Sequence, residues 1–492
     1  MKQAIAKGAV WMVLFKLAER SLGLISVVVL ARLLVPADFG LVAMAMSIIA
    51  FIDVATTFSF DIALIQRANP ERKDYNAAWT LNVLIGAGCA LLIVALAVPA
   101  ALFYKEPRLT AVMLALAVGW LLHGFENIGV ANFRREMNFR KEFRFLLSKK
   151  IVGFTVTLSL ALTLQSYWAL IAGSVASRFA GVVASYLMHP FRPRFSLVGS
   201  KQLVSFSSWL LMNNILLGTL HSIPSFFIGR ANGPRPLGLY TVGHEIAFLP
   251  STELIAPINR AVLPGYSRMA SQLRTLREGF VDVISVILII ALPASLGLAA
   301  IADPVVRVML GDKWLDAIPV IQILAFSGAI GAMQSNNASA YIALGKQRIL
   351  MFVLLTQLLV MIPSTLLLGY AFGILGVAYA DLIASAIGLT VAYPILFKTL
   401  GLSASNYFRV IWRPFFAAGT MGLSIYMLAV ELAKHGTSMA PGWQLAVLIP
   451  AGVAIYVSAL GLLWFAVGKP QGAETIALAR LTEVTSRSRH VP

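Results

Sequence analysis

The stretch "ARLLVPADFGLVAMAMSI", residues 31–48, recurs in weakened form 198 positions later as "GRANGPRPLGLYTVGHEI", residues 229–246. The two stretches align without a gap and share Arg32/Arg230, Pro36/Pro234, Gly40/Gly238, Leu41/Leu239 and Ile48/Ile246, and upstream Trp11 falls on Trp209. In both copies Pro and Gly stand in a turn between apolar segments, because proline cannot continue a helix and glycine tolerates a sharp entry into the next. The repeat predicts a helix-turn-helix element duplicated in the same orientation.

The composition around the repeat is that of a membrane protein. The chain has 492 residues, of which 59% are hydrophobic and 12% charged, with a mean hydropathy of +0.82. These values lie outside the usual range for soluble domains. A bilayer core about 30 Å thick needs about 20 apolar residues per helix. We predict fourteen spans at residues 8–33, 39–66, 77–104, 109–133, 144–164, 166–189, 202–229, 237–259, 280–301, 317–343, 349–371, 373–397, 411–433 and 442–467.

The order of these segments predicts an all-α polytopic membrane protein of about 14 transmembrane helices. Two six-helix lobes, residues 1–200 and 201–400, form a parallel pseudo-repeat, followed by two additional transmembrane helices within 401–467 and a cytoplasmic tail, 468–492. Parallel repeats related by an axis along the membrane normal are a transporter layout, in which the substrate path lies between lobes that rock about it.

The distribution of charge predicts the orientation. The formal net charge is +18, and with a cytoplasmic amino terminus 28 of the 39 Lys and Arg residues fall on the cytoplasmic side. This is the positive-inside rule, so both termini are expected in the cytoplasm. Basic segments such as "FRREMNFRKEFRFLLSKK", residues 133–150, then serve as topology signals that also meet anionic lipid. We expect no nucleic-acid partner, and the single cysteine, Cys89, excludes disulfides and CxxC metal sites.

The repeat motif, together with "DKWLDAIPVIQILAF" at residues 312–326, resembles the polysaccharide transporter or oligosaccharide flippase family of the multidrug/oligosaccharidyl-lipid/polysaccharide superfamily. The resemblance covers nearly the whole chain and is closest to exporters of the colanic-acid and succinoglycan type. It implies a flippase of the bacterial inner membrane that moves polyprenyl-pyrophosphate-linked oligosaccharide repeat units for exopolysaccharide, capsule or O-antigen synthesis. It further implies ion coupling, as in an antiporter, and polysaccharide polymerase or export machinery as partners.

Two alternatives stay open beside the flippase. One is a multidrug or lipid II-type transporter of the same superfamily. The other is a membrane enzyme that processes glycans, which the short outer loops disfavour because the longest, Ala302 to Asp316, is too short to build a catalytic site. We therefore expect no enzymatic activity. We also expect no cofactor and no metal, since the chain lacks a GxxxxGK[ST] phosphate loop and any metal-ligand spacing.

Three charges interrupt the first apolar segment, in "WMVLFKLAERSLGLI" at residues 11–25. Lys16, Glu19 and Arg20 stand at i, i+3 and i+4, so they share one helix face. A charge at mid-bilayer costs about 2.5–3.5 kcal/mol, so the set needs either internal pairing or a wet cavity. One reading is a substrate-binding wall in which Lys16 and Arg20 hold a pyrophosphate and Glu19 balances the empty site; the other is a structural ion-pair cluster.

Further charges of the first lobe are candidates for substrate contact, ion coupling or pairing. Arg178 is the lone cation of helix six and either binds substrate or pairs with a carboxylate. Asp53, Asp61 and Glu126 are those carboxylates. A buried carboxylate either exchanges a proton during transport or forms a fixed salt bridge, and both readings stay open for these groups.

The second lobe offers polar rather than cationic candidates. Helix eight carries Glu245 and contains Pro250 and Pro257, so we expect it to be broken, as helices at transport sites often are. The remaining candidates are amides and an indole that either contact sugar hydroxyls and a sugar face or join helices together: Trp209, Asn213, Asn214, Asn336 and Asn337.

Overall fold

The computed structural model describes residues 2–56, 60–67, 70–198, 208–434, 440–470 and 474–475. Within these ranges, the side chains of residues 2–10, 13, 53–56, 62–63, 66, 208–215, 256, 260–261 and 433–434 lie outside the description. The described chain is all-α, as predicted, and divides into two compact units, residues 1–241 and 242–492.

Among its described residues, the first unit contains nine α-helices and the start of a tenth. They are α1 Lys2–Leu33, α2 Pro36–Thr56, α3 Phe60–Gln66, α4 Arg72–Tyr104, α5 Arg108–Gly124, α6 Ala131–Arg135, α7 Phe139–Leu164, α8 Trp168–Met188, α9 Ser208–Asn232 and α10 Pro234–Glu253, whose first turns belong to this unit.

The second unit takes up the rest of α10 and continues to the carboxyl terminus. Its helices are α11 Ala256–Met269, α12 Leu273–Ala300, α13 Ala302–Met309, α14 Ile318–Gln334, α15 Asn337–Ala343, α16 Gln347–Leu400, α17 Ala404–Lys434 and α18 Pro441–Ala466. A large apolar core joins α12, α14, α16, α17 and α18, with Phe280, Ile287 and Leu396 fully buried in it.

Helix α16 is two antiparallel spans that meet at Gly373. A helix rises about 1.5 Å per residue, so 54 residues in one line would extend about 80 Å, more than twice the thickness of a bilayer core. Gly373 has a φ of 59°, which residues with a side chain rarely adopt. The turn falls between the predicted spans 349–371 and 373–397, which are thereby confirmed as separate helices.

Span 39–66 contains α2 and α3, and residues 57–59 between them lie outside the described residues. Helices four and ten differ from the continuous spans predicted for them, because each is interrupted. Span 109–133 bends by 62° between α5 and the segment 128–135, and span 317–343 divides after Gln334. No proline marks these breaks, so hydropathy alone does not reveal them. The break expected in helix eight is confirmed, since α10 ends at Glu253 and α11 begins at Ala256.

The lengths and hydropathies of the helices make this a polytopic membrane protein. Among the described residues, eight helices are long and apolar enough to cross a membrane, or nine when the bent pair is counted. The number fourteen and the lobe boundaries stay predictions. Within the first unit α7 packs on both α1 and α8, and α5 packs on α4 and α8, which encloses polar space near the middle of these helices.

Candidate functional site

The charged face of α1 meets a cation of α7. The Lys16 Nζ lies 2.6 Å from Glu19 Oε2, and the Lys150 Nζ lies 3.3 Å from the other carboxylate oxygen of Glu19. Glu19 is therefore shared by two lysines, one from its own helix and one from α7. Lys150 belongs to the basic segment that the sequence assigned to topology, so sequence reasoning missed its place in the site.

A polar groove opens beside this cluster, between α1, α7 and α8. Its volume is about 320 Å³. Charged and hydroxyl-bearing side chains make up much of its wall: Glu19, Ser26, Lys150, Thr157, Ser174, Ser177 and Arg178. We call this space the cationic groove. It brings together Glu19 and Arg178, which the sequence could nominate only separately, and it offers both positive charge and hydroxyl groups to a ligand.

Arg178 is oriented by an aromatic ring. Its guanidinium carbon lies 4.3 Å from the centre of the Trp120 ring, which is the geometry of a cation–π contact. Trp120 comes from α5, so this contact joins α5 to α8. The contact holds Arg178, which lines the cationic groove, against α5.

A second polar cavity, also about 320 Å³, lies on the other side of α7. In it the Lys149 Nζ is 2.7 Å from Glu126 Oε2, and His123 Nδ1 is 3.8 Å from the same oxygen. We call this space the carboxylate cavity. Lys149 and Lys150 are neighbours in sequence, yet they enter different cavities, because successive residues point about 100° apart around a helix.

The inner end of the carboxylate cavity holds a second ion cluster. Arg134 pairs with Glu142 and lies 3.3 Å from Asp61. Asp61 therefore has an ion-pair partner, as one of the two readings of this carboxylate expected. Glu142 is buried, and its Oε2 has no hydrogen-bond partner among the described atoms, so the wall of this cavity retains an acceptor.

The bend between α5 and α6 is built around Asn127, which is fully buried. Its side-chain oxygen accepts from the Gly129 N–H at 2.9 Å, and its side-chain nitrogen donates to the Phe191 carbonyl at 2.7 Å. Its own N–H donates to Ser185 Oγ at 2.9 Å. These bonds replace those that a continuous helix would make. The sequence placed Asn127 beside Glu126 on one helix, whereas the structure puts it in the break.

In the second unit the amide candidates lie inside helix packing rather than on a cavity wall. Asn336 is 0% and Asn337 is 4% exposed. The side-chain nitrogen of Asn336 donates to the Tyr266 hydroxyl at 2.7 Å, and that of Asn259 donates to the Ser335 carbonyl at 3.3 Å. These contacts bridge α11 to the break between α14 and α15, so in this state neither candidate amide reaches a ligand.

The other candidates have less structural definition. Glu245 is exposed on α10. Helices contain the remaining four, but their side chains lie outside the description: Asp53, Trp209, Asn213 and Asn214. Among the residues that the structure describes, no group of three or more His, Cys, Asp or Glu side chains is placed to hold a metal ion.

The structure thus describes a helical membrane protein with a net-cationic groove in its first unit. Comparison with known families shows which family the chain belongs to. The sequence profile described as "Polysaccharide biosynthesis protein" matches residues 29–319. The chain belongs to the polysaccharide biosynthesis protein family. The resemblance drawn from the repeat motif is confirmed, and the family match begins inside α1 and includes both copies of that motif.

Relatives of this family member carry names from envelope polysaccharide synthesis. It is 25% identical to the lipopolysaccharide biosynthesis protein WzxC of Escherichia coli over 88% of this chain and 89% of that protein. It is 22% identical to the teichuronic acid biosynthesis protein TuaB of Bacillus subtilis over 83% and 85% of the two chains. The succinoglycan biosynthesis transport protein ExoT of Rhizobium meliloti is 24% identical over 67% of each chain.

Solved structures show the same fold at low sequence identity. The family member superposes on the lipid II flippase MurJ in an inward closed conformation with a TM-score of 0.73 and 14% identity, covering 92% of this chain and 99% of that chain. A multidrug resistance MATE family transporter in an inward-facing conformation gives a TM-score of 0.58 at 13% identity, covering 78% and 96%. The chain therefore shares the fold of MurJ and of this MATE family protein.

Proposed function

We propose that this protein moves polyprenyl-pyrophosphate-linked oligosaccharide repeat units across the bacterial inner membrane, for exopolysaccharide, capsule or O-antigen synthesis. The observation that carries the proposal is the cationic groove, an anion-attracting and hydroxyl-lined space inside apolar helices, in a member of a polysaccharide biosynthesis family. The relatives named for polysaccharide synthesis and transport support the same substrate class.

The charges of the groove suit a pyrophosphate diester. Lys16, Lys150 and Arg178 bring three positive charges, and Glu19 neutralises one of them. The remaining charge of about +2 matches the two negative charges of a pyrophosphate that carries both a polyprenyl chain and a sugar. Arg offers a planar bidentate fork and Lys a point charge, which are the two donor types that proteins use for phosphate. Arg20, on the same face of α1, would add to this field.

Sugars would extend from the anion site along hydroxyl groups and amides. Ser26, Thr157 and Ser174 line the groove and supply donors and acceptors. For the second repeat we keep Trp209, Asn213, Asn214, Asn336 and Asn337 as proposed sugar contacts. Asn336 and Asn337 would become available only when the break between α14 and α15 opens, since both amides are now buried.

Ion coupling is proposed for the carboxylate cavity. Glu126 holds Lys149 and faces His123, so a change in its protonation would release Lys149 within the carboxylate cavity, on the other side of α7 from the cationic groove. Asp53, Asp61 and Glu245 stay secondary candidates for the same role. We propose that the two repeats transport by alternating access, and that no cofactor and no enzymatic step take part.

The proposed setting is the inner membrane with both termini in the cytoplasm. The basic segments would then meet anionic lipid, and polysaccharide polymerase or export machinery would receive the product on the other side.

The test is a transport assay with purified protein in liposomes. A fluorescent polyprenyl-pyrophosphate oligosaccharide is placed in both leaflets, and the fraction accessible to an external quencher is followed, with lipid II and a cationic drug as alternative substrates. We expect wild type to move the oligosaccharide lipid and Lys16→Gln and Arg20→Gln to slow it. Faster movement of lipid II or of the drug would contradict the proposed substrate class.

A further inference from the structure

The two copies of the repeat motif touch each other through their glycines. An ideal Cβ added to Gly40 would lie 1.7 Å from the Pro234 carbonyl oxygen, and one added to Gly238 would lie 1.8 Å from the Pro36 carbonyl oxygen. All four residues belong to the first unit. Each glycine thus meets the residue that begins the other helix, and each of the four residues is one of the positions that the two copies share.

The contact is a reciprocal backbone-on-backbone crossing of α2 and α10. The same Gly40 Cβ would be 2.9 Å from the Gly238 nitrogen, and the Gly238 Cβ would be 3.0 Å from the Gly40 nitrogen. A surface that repeats itself in this way is self-complementary, as in a two-fold interface between identical subunits. Here the duplication of one motif within a single chain supplies both halves of the interface.

The residues below the crossing form a dry seal. Leu41, Met44 and Ala45 of α2 are 0% exposed, and Ile228 of α9 is 0% exposed. Gly229 of α9 also packs tightly, since a Cβ there would lie 2.6 Å from the Tyr104 ring. The crossing therefore closes a densely packed region to water.

We propose that this crossing, Gly40 and Gly238 each against the other helix's first proline, is the outer gate of the transport path and is closed in this structure. The turns that hold Pro36 and Pro234 lie on the side that the positive-inside pattern assigns to the exterior. Release of a substrate to that side requires the crossing to separate, and resetting requires it to close again. Glycine is needed at both positions because closure brings backbone against backbone.

A methyl group at either glycine opposes closure without weakening the helices. Real Cβ atoms essentially never lie within 3.0 Å of another heavy atom, so alanine would force the two backbones apart by at least about 1.2 Å. Alanine is a better helix former than glycine, so lost closure would not be attributable to unfolding of α2 or α10. Either variant should therefore favour the outward-open state.

The experiment measures outside access to a thiol placed below the crossing. Cys89, the only cysteine, is changed to Ala, and Ala45→Cys supplies the reporter. Intact cells are exposed to a membrane-impermeant maleimide, with Gly40→Ala, Gly238→Ala, both together, or Gly88→Ala as the matched control. Gly88 is a helical glycine whose added Cβ would meet nothing within 4 Å.

We expect about tenfold faster labelling of the reporter in each single variant, as the open population rises from roughly 1% to roughly 10%. The double variant should label at about the same rate as either single variant, because both substitutions disrupt the same contact. Gly88→Ala should label like the parent. Unchanged labelling in the Gly40 and Gly238 variants, or a rise seen only in inverted vesicles, would overturn the proposal.

The parent protein, which carries Cys89→Ala and Ala45→Cys and keeps both gate glycines, gives a second labelling measurement. This measurement does not depend on producing the alanine variants. The thiol at position 45 should react with the maleimide slowly but completely, because the gate opens transiently. A thiol that stays unlabelled over hours contradicts the gate. The gate rests on the alternating access proposed above, but the assay needs no glycan, so its failure is distinguishable from a failure of the proposed substrate class.

Discussion

Lys150→Gln tests whether the cationic groove binds an anion. Glu19 contacts both Lys150 and Lys16, so the loss of Lys150 leaves one carboxylate, Glu19, balanced by Lys16, and Arg178 as the second cation among these groups. The net charge of the four falls from about +2 to about +1. The pyrophosphate should then bind more weakly, with little change in the fold.

The magnitude follows from the exposure of the lysine. A hydrogen bond to a charged group contributes about 1.5–3 kcal/mol. The Lys150 side chain is 50% exposed, which places its contribution at the low end of that range. About 1.5 kcal/mol corresponds to roughly a tenfold rise in KM. Glu19→Gln should act oppositely, lowering KM and slowing release, because both lysines lose their internal partner.

The assay is the liposome transport measurement over a range of substrate concentrations, with Arg140→Gln as the control. Arg140 is an exposed cation on the same helix, so this change removes a charge without touching the groove. A KM for Lys150→Gln equal to that of Arg140→Gln would refute the anion-binding role of the groove. A fall in KM for the lysine variant would refute the sign of the charge argument.

Other perturbations test the Trp120–Arg178 contact, the buried Arg413–Glu474 pair and His189. Trp120→Ala removes the cation–π contact to Arg178, worth about 0.5–2 kcal/mol, and should reduce transport, whereas Trp120→Phe should retain most of it. Arg413 is buried and pairs with Glu474 at 2.8 Å. Arg413→Met should therefore lower the free energy of unfolding by about 3–5 kcal/mol, and adding Glu474→Met should restore most of that loss. If thermal unfolding shows that the losses of the two substitutions add, the buried pair is contradicted. Burial lowers the pKa of His189, which follows the last residue of α8, and its neutral Nδ1 accepts the Phe191 N–H at 3.1 Å. The unfolded chain binds this proton more readily, so stability should fall as pH drops below about 6.5, and His189→Gln should flatten that slope in unfolding scans at pH 7.5 and 5.5.

The arrangement of the site was only partly predictable. Lys16, Glu19 and Arg178 could be nominated because a charge inside an apolar run is costly wherever it lies along the helix. Lys149 and Lys150 could not, since they stand at the edge of a basic segment where topology alone explains them. Their assignment to two different cavities depends on the rotation of α7 against α1 and α8.

The breaks in helices four and ten were missed for a related reason. A hydropathy pattern records whether a residue is apolar, and both halves of a broken helix are apolar. Asn127 can end α5 only because Ser185 and the Phe191 carbonyl, far along the chain, satisfy its polar groups. The tail shows the same limit, because the sequence predicted residues 468–492 only as a cytoplasmic tail, and the contact of the buried Glu474 with Arg413 could not be read from it.

The sequence by itself determined the membrane class, the helical fold and the duplicated motif, because apolar length, charge asymmetry and a repeat are properties of the linear chain. It also determined the family, since its motifs are local. The tertiary structure decided which cations share a groove, which amides are buried, and that Gly40 and Gly238 meet each other's helix. These depend on the packing of segments distant in sequence, and small differences in helix rotation and separation determine them.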